Sequence, residues 1–214
     1  MRRLFPLFLW LALCMAAPAL AQRPVVLVHG IDDTAAVFDP MRAELERHGL
    51  RTFALSMTPR GGEAELQVLA EQLAEFVQQR LGDQPFDLVG FSMGGLVSRY
   101  YLQRMGGLAR VGRFITLSSP HNGTLTAWLC NRPGCQQMRP GSSFLTDLNH
   151  DAQVLERVRF TSVYTPSDLM ILPPQSSALP VGRTLEIPVP FHGWVVRDAR
   201  IIRTVLELLR GFSD

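Results

Sequence analysis

Residues 87–105 read DLVGFSMGGLVSRYYLQRM, an apolar run that turns into a helical pattern. The run 86–91, FDLVGF, lacks the apolar–polar alternation of a half-exposed strand, so it suits a strand buried on both faces. Residues 94–105 carry apolar side chains at helical spacing. At the join stands Ser92, flanked by Gly90, Gly94 and Gly95 in a G-x-S-x-G pattern. A strand that turns sharply into a helix here holds the serine in strained backbone geometry and points its Oγ out of the sheet. The neighbouring glycines let strand and helix approach without a Cβ collision. The helix start directs unpaired N–H groups and a positive dipole end at the same spot. Such a corner suits a nucleophile beside a place where negative charge is stabilised. A plain Gly/Ser turn without chemistry is the alternative.

The same strand–helix alternation runs through the chain. Strands are expected at 24–30 (PVVLVHG), 51–56, 86–91, 113–119, 159–165 and 183–189, and helices at 36–48, 63–81, 94–105 and 198–210. This order predicts an α/β domain with a mostly parallel sheet of about six strands covered on both faces. One segment breaks the rhythm. The excursion 120–158 is rich in Gly, Pro, Asn and Ser, with one apolar patch, SSFLTDL. An excursion of this length, set over the carboxyl ends of the strands, makes a wall or partial lid on a ligand site.

A serine hydroxyl needs a base within hydrogen-bond reach and a third group to orient that base. Of five histidines, His192 in PVPFHGW follows the last strand and precedes the last helix, which makes it the candidate base. His121 in SSPHNGT is the runner-up, expected to line the site. His48 and His150 read as solvated positions, and His29 as a brace for its loop. Among the acids, Asp147 and Asp151 fall in the excursion, and Asp198 is placed to cap the last helix. Asp168, in VYTPSDLMI, has both a strand-end position and the chain order Ser, Asp, His, so it is the candidate orienting acid. For an oxyanion, the N–H donors are those of Met93, after the serine, and Ile31, in the loop VHGIDD. No cofactor is required.

With 214 residues, 47% hydrophobic and 19% charged, the chain is long enough for one globular domain. Residues 1–21 read as a separate object. Arg2 and Arg3 form a basic start, Leu4 to Leu13 an apolar core, and Ala19-Leu20-Ala21 a cleavage site. That apolar core is shorter than the about 20 residues of a membrane span. The expectation is a signal peptide, with export to the periplasm or medium and a single domain over 22–214. Removing Arg2 and Arg3 brings the net charge of +2 close to zero, without the basic face a nucleic-acid partner requires. In an oxidising compartment Cys130 and Cys135, separated by a Pro133-Gly134 turn, are expected to pair as a disulfide. A zinc site is the alternative, but no second Cys or His pair stands at ligand spacing.

The segments VVLVHGI, DLVGFSMGGLVSRYYL, LSSPHNGT, FTSVYTPSDLMI and IPVPFHGWV, in this order, resemble the α/β-hydrolases, in particular the small secreted bacterial lipases and esterases. The resemblance spans 24–209. It implies an α/β-hydrolase fold, a Ser92–Asp168–His192 triad, an oxyanion hole at Ile31 and Met93, and hydrolysis of small-molecule or lipid esters by a monomer, with a lipid surface as a further partner. Two departures stand out. Phe191 precedes the histidine where many relatives have glycine, and the excursion is shorter than the lids of larger lipases, which favours an open site. No close pair of acids surrounds His192, so no metal is expected. The same machinery serves thioesters and amides, and a non-catalytic binding protein on this fold is the reading from another class.

Overall fold

The structure, a computed structural model, describes residues 22–211. The expected signal peptide, 1–21, lies outside the described residues. Six strands form one sheet: β1 (Val25–Val28), β2 (Thr52–Leu55), β3 (Phe86–Phe91), β4 (Val111–Leu117), β5 (Arg159–Tyr164) and β6 (Arg183–Glu186). Their order is β2-β1-β3-β4-β5-β6, and every neighbouring pair is parallel. The chain steps from β1 outward to β2, then crosses back to β3 on the other side of β1. The crevice between the carboxyl ends of β1 and β3 is therefore the topological switch point, where ligands bind in open α/β sheets.

Alternation along the buried strands feeds two cores. On one face Val26, Val28, Leu88 and Phe114 pack under α2 (Leu66–Leu81) and α3 (Met93–Arg104). On the other, Val25, Leu27, Val89 and Ile115 pack under α1 (Asp39–Arg47) and α6 (Ala199–Arg210). Both faces are covered, as the unalternating strands required.

Three differences from the sequence expectation have physical causes. The helix expected from 63 starts at Leu66, where the Leu66 N–H donates to Gln137 Oε1 at 2.7 Å, a cap that comes from the distant excursion. The strand expected over 183–189 ends at Glu186. Ile187 still donates to Tyr164 O, but the next N–H on that side, that of Val189, donates to the Thr165 side-chain Oγ1 instead of a backbone carbonyl, so the ladder stops. The excursion is not one long irregular loop. It folds into α4 (Pro133–Gln137) and α5 (Ser143–His150), with single turns at Leu125–Leu129 and Ala152–Arg157. The apolar patch is α5, and its Phe144, Leu145 and Leu148 join the core that holds α3.

Two arginines of α3 fasten this excursion. Arg99 is fully buried and donates to Asn149 Oδ1 (2.9 Å), Leu148 O (2.8 Å) and Gln103 Oε1 (3.0 Å). Burial pushes its guanidinium down to about 9, because no carboxylate lies within ion-pair distance among the described residues. Arg104 holds Asp147 at 2.9 Å and Asp151 at 2.8 Å.

The start of α3 presses on β1. A Cβ at Gly94 would collide with the carbonyl oxygens of Val28 and His29, and one at Gly90 would come within 2.6 Å of Gly95 Cα. Both obstacles are backbone and cannot swing aside. Gly94→Ala is therefore expected to lower unfolding stability by at least about 2 kcal/mol. Gly193→Ala, with open space around it, should stay within about 0.5 kcal/mol of wild type. Urea unfolding of the two variants decides the matter, and equal losses would refute the close-approach explanation.

Candidate active site

Ser92 sits between β3 and α3 with φ 52° and ψ −124°, in the left-handed half of backbone space where a side chain is strained by about 1–3 kcal/mol. Its N–H donates to Leu117 O at 2.8 Å, tying the turn to the end of β4. Gly30, at the start of the loop that follows β1, passes close by: a Cβ there would lie 3.0 Å from Ser92 Cβ. This brings the neighbouring Ile31 to the same cavity as Ser92. Met93 is the first residue of α3, so its N–H has no partner within the helix and lies at the positive dipole end.

His192 opens a single turn (His192–Trp194) on the loop between β6 and α6. Its Nδ1 lies 2.8 Å from Asp168 Oδ2. The other oxygen, Oδ1, accepts from the backbone N–H groups of Met170 and Ile171, both at 2.9 Å. Asp168 is 2% exposed. Burial alone would raise its carboxyl, but the His192 hydrogen bond and charge and the two N–H groups outweigh it and hold the group below 3.8. With Asp168 ionised, a neutral imidazole carries its proton on Nδ1, leaving the Nε2 lone pair free to accept one. The His192 ring also stacks, tilted, on Phe91, with centroids 4.9 Å apart.

Ser92 and His192 open on one cavity of about 830 Å³ at the carboxyl edge of the sheet. Its apolar walls come from β3 (Phe91), from the excursion (Ala127, Leu129, Met138) and from the loop after Asp168 (Leu169, Ile171). Asp32 and Asp33 add polar lining, and burial pushes the Asp33 carboxyl up. Cys130 and Cys135 form a disulfide on the cavity wall, with Cα atoms 5.8 Å apart. The excursion thus forms one wall of the cavity.

The remaining histidines separate by environment. His121, expected at the site, is fully buried instead, with Nε2 3.0 Å from Thr116 Oγ1. Burial, with help from the Arg99 charge, drives it well below 6.5, so it stays neutral in the interior. His29 does brace its loop: Nε2 accepts from Met57 N–H at 2.9 Å, which leaves Nδ1–H to donate to Gly30 O at 2.7 Å. His48 is half-buried at the end of α1 with Nδ1 on Glu44 O, and His150 ends α5, exposed to solvent. Leu129 and Met138 have no local signal in the sequence, because only the folded excursion carries them to the cavity.

The palmitoyl protein thioesterase family model matches residues 24–165. The chain belongs to that family. It is an α/β-hydrolase of the lipase and esterase group, a family of enzymes. The match contains Ser92 and stops short of Asp168 and His192. Palmitoyl-protein thioesterase 3 of Dictyostelium discoideum is 30% identical over 139 residues, 62% of this chain and 47% of the relative. A triacylglycerol lipase of Burkholderia plantarii is 31% identical over 115 residues, 50% of this chain and 32% of the relative. The matched region thus spans less than half the length of these relatives. Among solved structures, mature Bacillus licheniformis lipase superposes with TM-score 0.75 at 18% identity, covering 91% of this chain and 94% of the other. Aspergillus fumigatus lipase B gives TM-score 0.75 at 18% identity, covering 88% and 52%. At such identities the likeness is one of fold.

The Asp168 environment sets a pH signature. A carboxyl more acidic when folded than when unfolded stabilises the fold above pH 3.8, and that contribution disappears as pH falls through the depressed folded value. The stability gap between wild type and Asp168→Asn should therefore narrow from neutral pH to below 3.8. Denaturant titrations across that range would contradict this if the gap stayed constant.

Proposed function

We propose that the protein hydrolyses acyl esters through a covalent acyl-enzyme on Ser92. The observation that carries this reading is the part-buried Asp168–His192 hydrogen bond beside the strained Ser92 turn, on one apolar cavity. In the first half-reaction His192 Nε2 takes the Ser92 proton while Oγ attacks the ester carbonyl. Asp168 keeps the imidazole oriented and stabilises its positive form. The tetrahedral oxyanion accepts hydrogen bonds from the Ile31 and Met93 N–H groups. As the C–O bond breaks, the alcohol leaves with the proton from His192. Water then repeats the sequence, giving its proton to His192 and releasing the acid, and Ser92 is regenerated. No step calls on a cofactor.

Apolar walls favour a hydrocarbon acyl chain over a charged substrate. Trp128 and Trp194 are more than half exposed, and the cavity-lining Leu129 is 90% exposed. This apolar rim supports a lipid ester or a lipid surface as the source of substrate. Thioester hydrolysis is the second reading, favoured by the family model itself. The Cys130–Cys135 disulfide fits an oxidising compartment, and with the basic–apolar–small pattern of 1–21 it supports export and cleavage after Ala21. Residues 22–214 then act as one monomeric catalytic domain.

The test is hydrolysis of p-nitrophenyl esters of graded acyl length, alongside the matching acyl thioesters. Ser92→Ala is expected to lower kcat by about 10⁴ or more with circular dichroism unchanged. Asp168→Asn should cost about 10⁴, because the imidazole then loses the acceptor that fixes its tautomer. Full activity in Ser92→Ala would reject the serine mechanism. Turnover of thioesters alone would replace the first reading by the second.

A further inference from the structure

The edge of the sheet opposite the cavity gathers arginine. Arg23 precedes β1, Arg113 stands early in β4, Arg159 opens β5, and Arg210 ends α6. Together they line a hollow of about 530 Å³ at the amino-terminal edge. The presence of arginine alone decides nothing, since all 21 basic residues of the chain are arginine. What decides is their convergence and the shortage of acid.

A Cβ at Gly211 would sit 3.2 Å from Arg113 Nη2 and 3.6 Å from Arg159 Nη1, so the two guanidiniums face one point. Asp87 is the acid of this cluster, paired with Arg113 at 3.3 Å and more distantly with Arg23 at 3.8 Å. Arg159 and Arg210 have no carboxylate within 4.0 Å among the described residues, and Arg210 Nη2 donates to a neutral carbonyl, His48 O. The buried Nε atoms of Arg113 and Arg210 have no acceptor among the described residues. Among the described residues, four positive charges thus face one negative charge at this hollow. Glu156 and Arg183 line the groove that continues from it and leave that excess unchanged.

We propose that this hollow is a binding site for a phosphate group. Guanidiniums present planar forks that match phosphate oxygens two at a time, and the unmatched charge draws an anion in. The site lies across the sheet from Ser92 and stands or falls apart from the hydrolytic reading. The phosphate comes either free in solution or on a phospholipid headgroup.

Calorimetric titration of the protein with inorganic phosphate at fixed ionic strength reads the first source. Co-sedimentation with phosphatidylglycerol vesicles, against phosphatidylcholine vesicles, reads the second. The double variant Arg159→Gln/Arg210→Gln is expected to weaken binding by about tenfold or more, with ester hydrolysis unchanged. Arg159→Lys/Arg210→Lys, which keeps charge but not the fork, should fall between. Saturable binding of phosphate that the Gln variant loses assigns the site to a free phosphate. Loss of retention on anionic vesicles alone assigns it to a headgroup. Absence of both kinds of binding in wild type, or equal binding by the Gln variant, overturns the proposal.

Discussion

The backbone of α3 begins so close to β1 that no side chain fits at Gly94 between it and the carbonyl oxygens of Val28 and His29. Much of the molecule follows from that approach. It forces the chain to reverse within one residue after β3, and that residue, Ser92, takes a left-handed conformation that its Cβ opposes. The strain persists because the surroundings over-determine it. Ser92 N–H is held by Leu117 O, and Gly30 occupies the space beside Ser92 Cβ. The same packing joins the carboxyl ends of β1 and β3, so the loop bearing Ile31 and the start of α3 face one cavity.

How much of this is legible in the sequence depends on the range of the forces involved. Strand β3, the turn and α3 follow from local pattern, because unbroken burial, glycine spacing and helical periodicity each leave a mark within a few residues. Asp168 and His192 were placed by their positions just past strand ends, and the structure brings their side chains into contact. Long-range packing leaves no such mark. Gln137 capping α2 across the fold has no local signature. Met138 and Leu129 become cavity walls only because the excursion docks on α3. His121 resembles a site residue by its place after β4, yet the chain turns inward there and buries it against Thr116 and Phe160.

The docking of the excursion is itself unusual in being polar at its centre. Arg99 is buried without a carboxylate partner among the described residues and donates to Leu148 O, Asn149 and Gln103. Asn149 in turn donates to His121 O and Asn122 Oδ1. A hydrophobic contact of the same area would tolerate small slides, whereas directional hydrogen bonds from Arg99 and Asn149 favour one register. The position of the cavity wall is therefore set by hydrogen-bond geometry, while apolar residues such as Phe144 and Leu148 supply most of the burial.

A parallel sheet makes its two edges chemically different, and this chain uses the difference. All six strands point their carboxyl ends at the apolar cavity, where helix starts and loops offer N–H donors. Strand starts and the last turn of α6 meet at the other edge, where backbone carbonyls at the helix end carry partial negative charge. Arg210 stands there, at the end of α6, with Arg113 and Arg159 beside it. The helix end favours the cations, but a partial charge cannot offset several full ones, so the described residues leave this edge with an excess of positive charge. The sheet direction that places Ser92 under donors at one edge thus also concentrates cations at the other.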